Sequence, residues 1–170
     1  VESGIPPFRG ENGLWEKYDP YFLHINYFMN NPKESWKLNK KLFYSMFEDC
    51  KPNKAHKVIA QLENEGYVYA VITQNIDNLH QEAGSQKVFE FHGTYKELVC
   101  TECGKVYEFQ KSYLKDLPPR CKSCKGILKP NYIFFGEGIP EKAYQGSIKE
   151  AQEADLFIVI GTTGEVTPAS

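Results

Sequence analysis

Apolar residues recur at helical spacing at Ala55, Val58, Ile59 and Leu62, with Asn53 placed to cap the run and Gly66 just beyond it, so the pattern predicts a helix there. From Val68 the run VYAVIT reads as a buried strand. The polar QNID turn after it leads into a short helical stretch that Gly84 can close. Val88 to Phe91 predicts a second short strand, and a helix from about Pro140 to Ala154 leads into a third strand, LFIVI, from Leu156 to Ile160. Helices alternating with apolar strands predict an α/β fold with a parallel sheet covered on both faces.

Two segments break that alternation. Residues 21–51 are rich in aromatics and helical in pattern, which marks a helical insertion. Residues 98–128 are short-ranged and polar and carry four cysteines, so a bound metal rather than a large core is expected to organise them.

Charge and composition narrow the partners. With 20 Lys+Arg against 22 Asp+Glu the net charge is -2, which gives no general hold on nucleic acid or on an anionic membrane. The longest clean apolar run, Leu156–Ile160, is far too short for a membrane helix, and the opening VESGIPPFRG lacks the basic start and apolar run of a secretory signal. Four of the five cysteines fall in two CxxC pairs, a pattern that favours metal over disulfides and a reducing, cytoplasmic compartment.

Cys100 and Cys103 are separated by 17 residues from Cys121 and Cys124, a spacing that reads as a zinc site. Each CxxC lets two thiolates converge from one tight turn, and Gly104 and Gly126 follow the pairs where such turns need them. Four protein ligands leave no open position, so one structural Zn2+ is expected, ahead of two disulfides, a redox dithiol or an iron–sulfur cluster. Cys50 stands alone and reads as a small buried apolar residue.

In open α/β sheets ligands bind beyond the carboxyl ends of the strands. Three predicted strands end in polar chemistry: Gln74, Asn75 and Asp77 after VIT, His92-Gly93 after FEF, and Gly161-Thr162-Thr163 after IVI. Each alone could be an ordinary turn or helix cap; together they point to a site. His92, between a strand and a glycine, is placed to face that crevice, and an imidazole titrating near neutrality suits a general base. His24, His56 and His80 read as structural. The loop SGIPPFRG offers Phe8 to lie over a flat ring and Arg9 to pair with phosphate or carboxylate, although a plain surface turn fits its composition equally.

Taken in order, SGIPPFRG, TQNIDNLHQEAGS, the FHG containing His92, the two CxxC pairs, PNYIFFGEGIP and the GTT after LFIVI resemble the sirtuin family. The resemblance implies a partial Rossmann-type NAD-binding domain over 1–20, 52–97 and 129–170, with a small domain made of the helical insertion 21–51 and a zinc ribbon over 98–128. It implies an NAD-dependent protein-lysine deacetylase. His92 matches the family's catalytic base; Asn75, Ile76 and Asp77 match the nicotinamide pocket; Gln74 matches a ribose contact; Phe8 and Arg9 match the mobile cofactor loop. Gly161, Thr162 and Thr163 match the segment that meets phosphate and the adenosine ribose, with Val166 close behind. Ile133, Phe135, Gly136 and Glu137 match the segment that pairs with substrate backbone and lines the acyl-lysine tunnel.

The implied chemistry consumes NAD. Nicotinamide leaves, an alkylimidate forms, His92 deprotonates a ribose hydroxyl, and water releases lysine and acylated ADP-ribose. Expected partners are an acetylated protein or peptide and nicotinamide, as product and inhibitor; no nucleic acid or membrane contact is expected. Members that prefer acidic acyl groups carry a Tyr and an Arg three residues apart in the helical insertion; Asn39 and Leu42 fall there, which favours a neutral acyl group. The family's GAGxS-type loop would stand before Ser3 and further strands beyond Ser170, so the resemblance implies a fragment, and Thr163 replaces the serine of the family's GTS. Two rival readings are a mono-ADP-ribosyltransferase using the same NAD pocket and a non-enzymatic zinc-ribbon binding module; the second leaves the convergence of QNID, FHG and GTT unexplained.

Overall fold

The computed structural model describes every residue except Val1, Arg9, Glu11, Asn12, Thr163, Glu165 and Ser170. Its helices and strands are α1 (Leu14–Lys17), α2 (Ile25–Asn30), α3 (Pro32–Asn39), α4 (Ser45–Phe47), α5 (Lys54–Asn64), β1 (Val71–Thr73), α6 (Leu79–Ala83), β2 (Val88–Glu90), β3 (Gly93–Cys100), β4 (Val106–Glu108), β5 (Leu128–Tyr132) and α7 (Glu141–Glu153). A 3-10 turn, Pro20–Leu23, precedes α2, and a π-helical turn, Lys40–Tyr44, joins α3 to α4.

The parallel sheet is β1 paired with β2, in register Val71↔Val88, Ile72↔Phe89 and Thr73↔Glu90. The α5 helix starts where the sequence places it: Asn53 accepts the His56 N–H while the His56 ring accepts the Asn53 N–H, a reciprocal cap. Its partner α6 closes on Gly84, and α7 runs along β2, where a Cβ at Gly146 would collide with the Phe89 ring.

LFIVI departs from expectation. Leu156–Ile160 has no regular secondary structure and joins no ladder among the described residues, and its five side chains are 56–75% exposed. A parallel strand needs neighbours to take up its backbone groups and layers to cover its side chains, and here neither surrounds it. The first strand is also shorter than VYAVIT suggests: Tyr67 and Tyr69 are exposed, and pairing begins only at Val71.

The core lies instead between the helical insertion and the cysteine segment. Phe28, Trp36, Leu42, Phe43, Tyr44 and Phe47 pack with Tyr95, Leu98, Leu128, Tyr132 and Phe134 in one cluster. Trp36 is fully buried, stacks on Tyr44 at 5.7 Å, and donates its Nε1–H to the Leu128 carbonyl at 2.8 Å. A buried indole with its N–H satisfied is a strong anchor between layers. A polar chain crosses the same seam: Ser35 Oγ donates to the Phe22 carbonyl, Asn39 donates to Ser35, and the Tyr132 hydroxyl donates to Asn39 Oδ1. Inside the cysteine segment β4 joins β3 and β5, which flank it, in a three-stranded antiparallel sheet of order β4-β3-β5, a regularity the segment's polar composition concealed.

Candidate active site and metal centre

The four cysteine sulfurs converge, all within 4.8 Å of one another. Cys100 and Cys124 lie 3.4 Å apart and Cys103 and Cys121 3.7 Å. A tetrahedron with metal–sulfur bonds of about 2.3 Å has edges of about 3.8 Å, so this donor set fits zinc. All four are free thiols, which sets aside the two-disulfide reading. The knuckles form because the Gly104 N–H returns to the Cys100 carbonyl at 3.1 Å and the Lys125 N–H to the Cys121 carbonyl at 3.0 Å. In the second knuckle Lys125, at φ 65°, takes the left-handed position. Gly126 is required for space, since a Cβ there would run into Glu102 and come within 3.1 Å of Cys100 Sγ.

The Tyr107 hydroxyl, 3.1 Å from Cys121 Sγ, together with backbone N–H groups, holds the Cys121 thiol down to about 5. The Gly126 N–H draws Cys124 down, but the neighbouring Cys100 and Cys103 sulfurs outweigh it and push it up to about 12. Backbone N–H groups of the first knuckle likewise lower the Cys100 thiol, so one cysteine of each pair is drawn towards the thiolate form that ligates a metal. The segment is therefore a structural centre, with its coordination sphere filled by protein.

The strand ends meet on Gln74. Its backbone carbonyl lies 3.0 Å from His92 Nδ1, and its side-chain Nε2 lies 3.4 Å from Thr162 Oγ1. A carbonyl only accepts, so Nδ1 carries the imidazole proton and Nε2 keeps its lone pair. Burial lowers the His92 pKa below its ordinary 6.5, against the raising effect of the Gln74 carbonyl, so the ring is neutral at physiological pH. His92 is placed by β2 and by the turn at Gly93, whose φ is +74° and where a Cβ would strike the Asn131 carbonyl. The His92 carbonyl in turn accepts the Ile133 N–H at 2.8 Å, which ties the FFGE segment to the histidine.

The remaining candidates sit as follows. Asn75 is exposed; Ile76 is half-buried, its carbonyl accepting the Tyr95 N–H; Asp77 is buried and accepts the N–H of Leu79, the first residue of α6, at 3.0 Å. Phe8 stacks on Trp15 at 5.3 Å and leans on Phe43, so it belongs to the aromatic core face of its loop. Gly161 and Thr162 are exposed at the end of LFIVI, and Thr162 Oγ1 also accepts the Gly164 N–H. Arg9 and Thr163 lie outside the described residues. Phe135, 49% exposed, and Gly136 face solvent, while Phe134 is buried and Glu137 half-buried. Sequence reading missed two residues of this neighbourhood, Lys129 and Tyr107. The signal for Lys129 is a lysine inside the short strand LKPNY, where a buried charge demands a partner; Tyr107 has no signal beyond its nearness to the cysteines.

A four-cysteine ribbon and a helical insertion beside a parallel sheet, with a histidine at the strand ends, define the architecture of a family, and sequence comparison bears this out: the Sir2 family matches residues 1–168. The chain belongs to the Sir2 family. It is similar to NAD-dependent protein deacetylase 1 of Pyrobaculum aerophilum, 45% identical over 99% of this chain and 66% of the relative. It is likewise similar to NAD-dependent protein deacylase 2 of Archaeoglobus fulgidus, 44% identical over all of this chain and 68% of the relative. The chain thus spans about two thirds of the length of such relatives. Among solved structures, a mutant Sir2 homologue in complex with ADP-ribose superposes with a TM-score of 0.92 at 39% identity, covering 99% of this chain and 68% of that one. A Sir2 mutant with a deacetylated p53 peptide and 3′-O-acetyl ADP-ribose gives 0.90 at 40%, covering 99% and 69%.

Proposed function

We propose that the protein of which this chain is part is an NAD-dependent protein-lysine deacetylase, with NAD consumed as co-substrate and one structural zinc. The observation that carries the reading is the His92 imidazole, fixed through Nδ1 by the Gln74 carbonyl with Nε2 free, at the junction of the three strand-end segments. NAD supplies an anomeric carbon that the acyl oxygen attacks as nicotinamide departs. The chain's residues hold and deprotonate: Asn75, Ile76 and Asp77 form the nicotinamide pocket, Gln74 meets the ribose, and Phe8, Arg9, Gly161, Thr162 and Thr163 complete the cofactor site. His92 Nε2 takes the proton of a ribose hydroxyl. A neutral imidazole is the form required, and burial maintains it.

The acyl-lysine enters along Ile133, Phe135, Gly136 and Glu137. Phe135 spends its N–H on the Leu23 carbonyl and accepts the Ile25 N–H, so its backbone is already used and its exposed ring is what it offers a peptide. Pairing with substrate backbone then falls to Gly136, whose N–H has no partner among the described residues. Asn39 and Leu42 are 0% and 4% exposed, and the Asn39 amide is consumed by Ser35 and Tyr132. Neither offers a free group to a distal carboxylate, which supports acetyl or another neutral acyl group. Nicotinamide, the released product, competes for the Asn75–Asp77 pocket and inhibits. Free thiols at all four zinc positions fit a reducing compartment, the cytoplasm. No helix among the described residues is long and apolar enough to cross a membrane.

The test is an acetyl-lysine peptide incubated with the full-length protein, with and without NAD. Deacetylated peptide that appears only with NAD supports the reading. Labelled protein with the acetyl group retained would favour ADP-ribosyl transfer and overturn it.

A further inference from the structure

Lys129 is the most deeply buried cation of the described chain, 5% exposed, and its ammonium has three oxygen partners. Nζ donates to the Pro130 carbonyl at 2.8 Å, to the Tyr132 carbonyl at 2.8 Å, and to Glu137 Oε2 at 2.9 Å, and it lies 4.3 Å over the Phe134 ring. The same Glu137 oxygen accepts the Phe134 N–H at 2.8 Å, while the Glu137 N–H returns to the Phe134 carbonyl at 3.0 Å. One ammonium thus fastens the end of β5 to the carboxylate that closes the turn Phe134-Phe135-Gly136-Glu137. A buried charge survives only with such saturation. A methionine of similar length would fill the space more cheaply, so the charge is retained for what it holds in place.

What it holds is the turn that presents Gly136. The Phe134, Phe135 and Glu137 N–H groups are all engaged within the protein, and Gly136 alone projects an unpaired N–H beside the exposed Phe135 ring. We propose that Lys129 is a positioning residue for substrate: through Glu137 it fixes the orientation of the Gly136 backbone, so that the turn meets the acyl-lysine peptide preorganised. This rests on the deacetylase reading above and extends it to a residue that touches neither NAD nor peptide. Preorganisation of a backbone donor lowers the cost of binding the strand that pairs with it. The imidazole at His92 takes a separate partner, the Gln74 carbonyl.

The experiment compares full-length protein with Lys129→Met and with Lys129→Gln, whose neutral amide can still donate to the carbonyls at the end of β5 and so guards against misfolding. Steady-state kinetics with an acetyl-lysine peptide should show peptide KM raised about tenfold in both, kcat altered much less, and KM for NAD unchanged. An unchanged peptide KM, or parallel loss of kcat and of NAD affinity, would overturn the proposal. Loss of fold in both variants would make Lys129 simply structural and overturn it as well. Absence of NAD-dependent turnover in the unaltered protein is a separate result that refutes the deacetylase reading and this inference with it.

Discussion

Replacing Cys121 with serine should release the metal and loosen the ribbon without unfolding the rest of the chain. Cys121 is fully buried, its sulfur receives the Tyr107 hydroxyl, and it lies 3.7 Å from Cys103 Sγ. A structural zinc contributes about 10–16 kcal/mol of apparent binding energy, so losing one of four thiolates removes roughly 3–4 kcal/mol, or two to three decades of affinity. The ribbon has little to offset that loss. Between Cys100 and Leu128 the segment holds only β4 and one 3-10 turn, Lys111–Leu114, and most of its side chains are exposed. The helical insertion keeps packing of its own, because Trp36 stacks on Tyr44 and Phe43 packs on Phe22 and Phe47 within it. The assay is zinc content after dialysis against a weak chelator, followed by amide exchange across β3, β4 and β5. The reasoning fails if the serine variant keeps one zinc per chain, or if metal is lost while those strands stay fully protected.

Three further outcomes follow from the same geometry. His92→Ala should lower deacetylation by about 10²- to 10⁴-fold with the unfolding midpoint little changed, and near-normal turnover would remove His92 from the base role. Gly93→Ala should destabilise by about 3 kcal/mol or more, since its φ of +74° and the Asn131 carbonyl both oppose a side chain; denaturant unfolding with an unchanged midpoint would contradict this. His56, His80 and His92 all have pKa values lowered from 6.5, chiefly by burial, so the unfolded chain binds more protons near that pH. Their contribution to stability is complete above about 6.5 and is lost as the pH falls below it towards the folded values, which a series of melting curves from pH 8 to 5 would reveal.

What the sequence disclosed depended on how local each cause is. The Asn53 cap, the Gly84 stop and the CxxC spacing are each decided within a few residues, and the structure contains all three. The strand ends that meet on Gln74 were legible because polar clusters after apolar runs mark the rim of a parallel sheet. LFIVI, the longest clean apolar run, read as a strand, yet a strand exists only with a partner, and the run alone carries no information about who pairs with it. The ribbon sheet hid for the opposite reason: β4 and β5 are short and polar, and pairing with β3 holds them where their own pattern would not. Lys129 and Glu137 stand eight residues apart in sequence and form a pair only because β5 and the FFGE turn fold back on each other.

The central claim is that this site splits NAD and hands the acetyl group to ADP-ribose. The most direct measurement is product stoichiometry with the full-length protein, NAD and an acetyl-lysine peptide. The account predicts nicotinamide, deacetylated peptide and acetylated ADP-ribose in equal amounts. Nicotinamide released with free acetate, or with ADP-ribose attached to protein and the peptide still acetylated, would contradict it.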